Sequence, residues 1–200
     1  MDNIITMETV TPGEEKRLTR EKVAIPMLWL SMGSMFMIFG GLTSAYYVRM
    51  EKSDWLHFEL PQMFYISTAV IILSSVTMNW VLSSARKNDM SNMKRAAWLT
   101  FILGLAFVFF QFRGWGVLVD QKVFFAGKYS NAAGSFLYVL TGLHLAHLFG
   151  GLLAVLTVSV KATRERYDSE NLLGIRLCAI FWHFLDVLWI GLFLFLLFTR

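Results

Sequence analysis

The chain has 200 residues, of which 56% are hydrophobic and only 16% charged, and its formal net charge is +4. A water-soluble domain carries about 25% charged residues to cover its surface, so a soluble globule is excluded, and the apolar content excludes a disordered segment as well. One cysteine, Cys178, excludes a disulfide scaffold, and in so apolar a chain the positive charge is not a nucleic-acid footprint; its distribution between the two ends of apolar segments is what carries information.

Residues 1–22 read as a polar tail. They contain no apolar core of a signal peptide, and Asp2, Glu8, Glu14, Glu15 and Glu21 are too many acids for a transit peptide. The tail ends in Lys16, Arg17, Arg20 and Lys22, directly before the first of five apolar runs. These runs cover about 23–48, 60–84, 96–119, 132–160 and 174–198, each near the roughly 20 residues needed to cross a bilayer. Backbone polar groups in lipid must be satisfied within the segment, so each run predicts an α-helix. The runs are too long, and too free of alternation, for strands. The fold class expected is therefore all-α, a bundle of five transmembrane helices forming one membrane domain over 23–200. Pro26 and Pro61 are expected in the first turns of the first two helices, where a missing N–H costs nothing. Trp29, Trp55, Trp98 and Trp115 fall near span ends, as an aromatic belt does.

Counting Lys and Arg by side predicts the orientation. The tail, the second connection (Arg86, Lys87, Lys94, Arg95) and the fourth (Lys161, Arg164, Arg166) hold eleven, or twelve with Arg176. Arg49, Lys52, Lys122, Lys128 and Arg200 make five on the opposite side. The excess places the N-terminus in the cytoplasm and, with five spans, the C-terminus outside.

Ionisable side chains deep in a span are the first functional candidates, because each is costly in lipid unless paired or wet. The third run has Arg113, about one and a half turns from its outer end, placed to snorkel to a lipid headgroup in preference to pairing with a neighbouring polar group. The fourth has His144 and His147, and the fifth His183 and Asp186, both pairs at i, i+3. Imidazole and carboxylate suit Zn, Cu or Fe, two facing histidines suit a haem, and a proton relay is a further reading. An interhelical hydrogen-bond network is preferred, since intramembrane polar groups generally pair with one another. His147 lies thirteen residues above Val160, roughly 20 Å at the helical rise. Asp186 lies twelve above Gly174, roughly 18 Å. At matching depths, Asp186 is expected to accept a hydrogen bond from His147 first and His144 second, the competing reading being a polar group on another helix or a buried water. Gly142, Ala146, Gly150 and Ala154 recur every fourth residue, a small-residue stripe that would admit a close neighbouring helix. Gly40 and Gly41 say the same more weakly.

Two stretches carry a resemblance. The run from Gly134 through Thr141-Gly-Leu-His-Leu-Ala-His147 to Gly150 resembles the Thr-Gly-x-His-x-x-His stretch of subunit III of the haem–copper terminal oxidases. Phe181-Trp-His-Phe-Leu-Asp-Val-Leu-Trp189 is similar to that family's Trp-His-Phe-x-Asp-Val-x-Trp signature. The resemblance covers essentially everything from Pro26 to Phe198, in the short five-helix bacterial form. It implies a non-catalytic subunit that binds no redox centre, haem and copper belonging to partner subunits. It also implies packing against oxidase subunit I, bound phospholipid, support of proton uptake, and a place in the bacterial plasma membrane. The electron donor it implies is cytochrome c or, alternatively, a quinol; a small transporter or a haem-binding membrane anchor is the more remote alternative. Many family members have a glutamate in the first shared helix where Met32-Gly-Ser-Met35 stands here, so Ser34 takes its place and any role of that carboxylate does not transfer.

Overall fold

The computed structural model describes residues 12–51, 59–127, 131–164 and 172–199, with side chains from residue 22 onward. Among the described residues the chain forms five helices: α1 (Pro12–Met50), α2 (Gln62–Arg86), α3 (Met90–Asp120), α4 (Ala132–Thr163) and α5 (Leu173–Phe198). All five are long and apolar enough to cross a membrane. Trp55 lies outside the described residues, as do the first eleven residues of the tail.

The helices outrun the expected spans at two starts. α1 begins at Pro12, so the second half of the polar tail is helical. Glu, Lys, Arg and Leu dominate that stretch, all strong helix formers, and proline suits a first helical position. Pro26 consequently lies inside α1 and not in its first turn, a correction to the expectation from sequence. It removes the N–H that would bond the carbonyl of Lys22, at the polar end of the span where a replacement partner is accessible. α3 begins at Met90 because Asp89 caps it, accepting from the Asn92 amide at 3.1 Å and from Asn92 Nδ2 at 2.6 Å. The tight α2–α3 connection passes through Asn88 at φ 57°, a left-handed conformation that asparagine tolerates.

Neighbouring helices run antiparallel, as paired residues show. Between α2 and α3, Ser67 meets Gln111 and Thr77 meets Thr100. Between α3 and α4, Trp98 meets Thr163 and Trp115 meets Thr141. Between α2 and α5, Thr68 meets Trp189 and Ser74 meets Trp182. Helices α2 to α5 thus close a four-helix ring, and α1 lies outside it against α4 and α5.

Buried positions recur every seven residues: Phe64, Ile71, Met78 and Ala85 on α2, Leu137, His144, Gly151 and Val158 on α4, and Ile175, Trp182, Trp189 and Leu196 on α5. That spacing is the signature of left-handed packing, in which a seam stays turned to its neighbour along the whole helix. α1 buries one such line, Met32, Phe39 and Tyr46. Phe39 lies against His147, ring centroids 5.8 Å apart, and Tyr46 sets edge-on to Phe136 and Phe195. Elsewhere on α1 many large apolar side chains are exposed, Trp29, Leu30, Phe36 and Met37 among them, while Leu42 and Met50 pack on the core.

Candidate functional site

The polar chemistry of the bundle collects where α5 faces α2. Trp182 and Trp189, one heptad apart, turn into the core and are fully buried. Their indole N–H groups need acceptors there, and α2 supplies them: Trp182 Nε1 donates to Ser74 Oγ at 3.1 Å, and Trp189 Nε1 to Thr68 Oγ1 at 3.0 Å. The α2 hydroxyls are available as acceptors because each spends its own hydrogen on its helix. Ser74 donates to the Ile71 carbonyl, and Ser67 and Thr68 to the Phe64 carbonyl. Ser67 in turn accepts from Gln111 Nε2 of α3 at 2.9 Å, in a wholly buried contact.

His183 and Asp186 lie beside this row. His183 Nδ1 is 2.7 Å from Ser75 Oγ of α2. An Asp186 carboxyl oxygen stands 3.9 Å from the same nitrogen, beyond hydrogen-bond length. Asp186 is 3% exposed, and among the described residues neither of its oxygens completes a hydrogen bond. His183 Nε2 is likewise buried, with no partner among the described residues.

The four residues read as one network are not joined, and the pairing expected between Asp186 and the α4 imidazoles is not formed. His147 points to α1: its ring packs on Phe39, and its Nδ1 bonds the Leu143 carbonyl one turn back at 2.8 Å. A carbonyl only accepts, so Nδ1 carries the proton. His144 turns the other way, into the core. It is fully buried against Trp189 (centroids 5.1 Å) and Phe107 (5.9 Å), and neither ring nitrogen has a partner among the described residues. The reason is rotational. His144 occupies a heptad core position of α4, and three residues further on His147 has moved around the helix toward the line buried by α1. Among the described residues no three of His, Cys, Asp and Glu come together as a metal site.

The small-residue stripe is only partly covered by the chain's own described helices. Ala146 and Gly150 are exposed, and a Cβ on Gly150 would meet no atom within 4 Å. At Gly142 a Cβ would sit 3.8 Å from Trp115, in ordinary contact, and Ala154 is half-buried. The close approaches between helices are made at Gly104 and Gly151. A Cβ on Gly104 would lie 2.7 Å from Leu152 and 2.8 Å from Trp182, and one on Gly151 would lie 2.9 Å from Leu185. Every-fourth spacing winds around a helix, whereas the packed seams follow the seven-residue repeat.

Arg113 is exposed near the end of α3, in a groove with Asp120, Gly116 and Met63. Ser34 is exposed too, its hydroxyl turned to the Leu30 carbonyl of its own helix. Sequence reasoning missed the α2 hydroxyls altogether; the signal available was Ser67, Ser74 and Val81 on one heptad line, beside Thr68 and Ser75 on the next.

These features define a multi-pass membrane protein, a helical bundle whose ionisable centre is cross-bonded to α2. Comparison with known proteins narrows the class. The signature of the family described as cytochrome c oxidase subunit III matches residues 53–199, which take in all of α2 to α5. The chain is 29% identical over 184 residues to the probable cytochrome c oxidase subunit 3 of Nocardia farcinica, covering 87% of this chain and 86% of that one. It is 30% identical over 179 residues to the probable cytochrome c oxidase subunit 3 of Mycobacterium leprae, with the same coverage. With the cytochrome c oxidase subunit 3 of Bacillus sp. PS3 it shares 25% over 195 residues, 94% of this chain and 92% of that one. The chain belongs to the cytochrome c oxidase subunit III family.

Proposed function

We propose that this protein is the non-catalytic third subunit of a proton-pumping cytochrome c oxidase in a bacterial plasma membrane. In this reading it packs against the catalytic subunit I, holds phospholipids, and keeps proton uptake going over many turnovers. Haem and copper belong to its partners. The observation that carries the reading is the family match across α2 to α5 together with bacterial relatives that align over nearly their whole length.

The surface supports a partner-dependent role. Much of α1 exposes large apolar side chains, and the exposed Ala146 and Gly150 of α4 offer a flat strip on which a foreign helix could come close. Where α1 leans on α4 and α5 it leaves an apolar groove of about 310 Å³, walled by Leu28, Val158 and Phe181 and edged by Lys161. Acyl chains fit such walls, and the ammonium fits a lipid phosphate. The chain's excess of Lys and Arg beside α1, α2–α3 and α4–α5 supports a cytoplasmic N-terminus.

The test is deletion of the chain in its native host. Oxidase isolated from the deletion strain is expected to keep its haems and initial oxygen consumption, but to lose activity progressively during turnover and to pump fewer protons. Unaltered yield, endurance and pumping would overturn the reading.

A further inference from the structure

The end of α3 carries Arg113, Gly116, Val117 and Asp120 at i, i+3, i+4 and i+7, a single face of the helix. With Met63 of α2 and Phe112 they line a groove of about 310 Å³. Arg113 and Asp120 are both exposed, and among the described residues neither forms a hydrogen bond or ion pair. Two helical turns, roughly 10 Å of rise, separate their backbones. Between them Gly116 leaves the groove floor open, since a Cβ there would meet no atom of the described residues within 4 Å.

The charges are ordered by depth. Arg113 lies on the membrane side and Asp120 at the helix end. α3 has no basic residue in its last turn, so the negative end of its dipole and the Asp120 carboxylate act at one spot. The groove therefore presents an anion site deeper in, a cation site at the rim, and an apolar wall beside them. A zwitterionic aminophospholipid has this order: acyl chain, then phosphate, then a primary ammonium two carbons further out. A purely anionic lipid would satisfy Arg113 and leave Asp120 and the helix end facing a headgroup with no cation.

We propose that this groove binds the headgroup of a zwitterionic aminophospholipid, its phosphate on Arg113 and its ammonium on Asp120. Met63 and Phe112 then take the first part of an acyl chain. The inference rests on the lipid-holding, membrane-spanning reading above and adds the headgroup class.

The intact oxidase complex is to be delipidated, placed in nanodiscs of mixed phosphatidylethanolamine and phosphatidylglycerol, and weighed with its bound lipids by native mass spectrometry. Haem absorbance per complex reports that each variant is whole. The wild type is expected to retain phosphatidylethanolamine in preference. Arg113→Gln and Gly116→Leu, one removing the anion site and one filling the floor, should each lose one bound lipid. Asp120→Asn should keep the lipid but lower the preference about fivefold. Equal retention of both lipids by the wild type, or no change in the three variants while other lipids stay bound, would overturn the proposal alone. A complex that retains no lipid at all would overturn the lipid-holding reading with it.

Discussion

His183 Nδ1 lies 2.7 Å from Ser75 Oγ, while the Asp186 carboxyl one turn further along α5 stops 3.9 Å from the same nitrogen. His183 is therefore tied to α2, the other neighbour of α5 in the ring, and not to α4, its neighbour in sequence. Ser75→Ala would leave His183 Nδ1 without its interhelical partner. Interhelical hydrogen bonds in membranes are each worth about 0.6 kcal/mol, and up to about 1.7. A loss in that range is expected as a lower thermal midpoint of the purified complex, with Ser75→Thr restoring most of it. Equal midpoints for Ser75→Ala and wild type would show that the bond contributes nothing.

The two glycine environments of α4 predict opposite responses. Gly151→Ala pushes a Cβ to 2.9 Å from Leu185, and overpacking of this kind costs about 1–3 kcal/mol. A Cβ on Gly150 meets nothing within 4 Å among the described residues, so Gly150→Leu should leave the fold intact and weaken only the hold of a partner helix. Measuring subunit retention and thermal midpoint side by side separates the two. A Gly150→Leu subunit that stays fully bound through detergent washing would remove the stripe from the interface.

His144 occupies a core layer against Trp189 and Phe107, both ring nitrogens unpartnered among the described residues. An unsatisfied buried polar group costs about 1–3 kcal/mol. His144→Phe is therefore expected to raise the thermal midpoint. Any loss of oxidase turnover in that more stable variant would belong to the imidazole and not to packing, while a lowered midpoint would contradict this account of the layer.

Asp89 offers a pH test outside the membrane. Donation from the Asn92 amide, then from its side chain, holds the Asp89 carboxyl below its ordinary value of 3.8. A carboxylate with a depressed value in the folded state stabilises it fully at pH above the unfolded value and progressively less as pH falls below that. The α2–α3 turn should thus stay protected from hydrogen exchange down to about pH 4 and loosen below it. Asp89→Ala should be loose throughout, and a turn equally protected in both proteins across that range would rule out the cap.

Much of this architecture is legible in the residues. Five apolar runs of spanning length give five helices, and the Thr141–His147 and Trp182–Trp189 stretches identify the family, because length and motif are local properties. What escaped is rotational. Whether His147 or His144 faces α5 depends on a turn of about 60° between them, set by the seam of α1 that no local pattern announces. The α2 hydroxyls escaped for another reason. A serine in a membrane helix ordinarily satisfies itself on the carbonyl three or four residues back, as Ser67 and Ser74 do, so it looks inert until an indole arrives to use its lone pair. The helical start at Pro12 was hidden because its charged residues mark a boundary of lipid, not a boundary of helix.

Recovery of the tagged chain from its native membrane tests the central claim most directly. Solubilised in mild detergent and purified on the tag, it is expected to bring down a larger multi-helix subunit in equal amount, with the reduced-minus-oxidised spectrum of haem in the same peak. A chain recovered alone, monodisperse and without a haem-bearing partner, would contradict the assignment as an oxidase subunit.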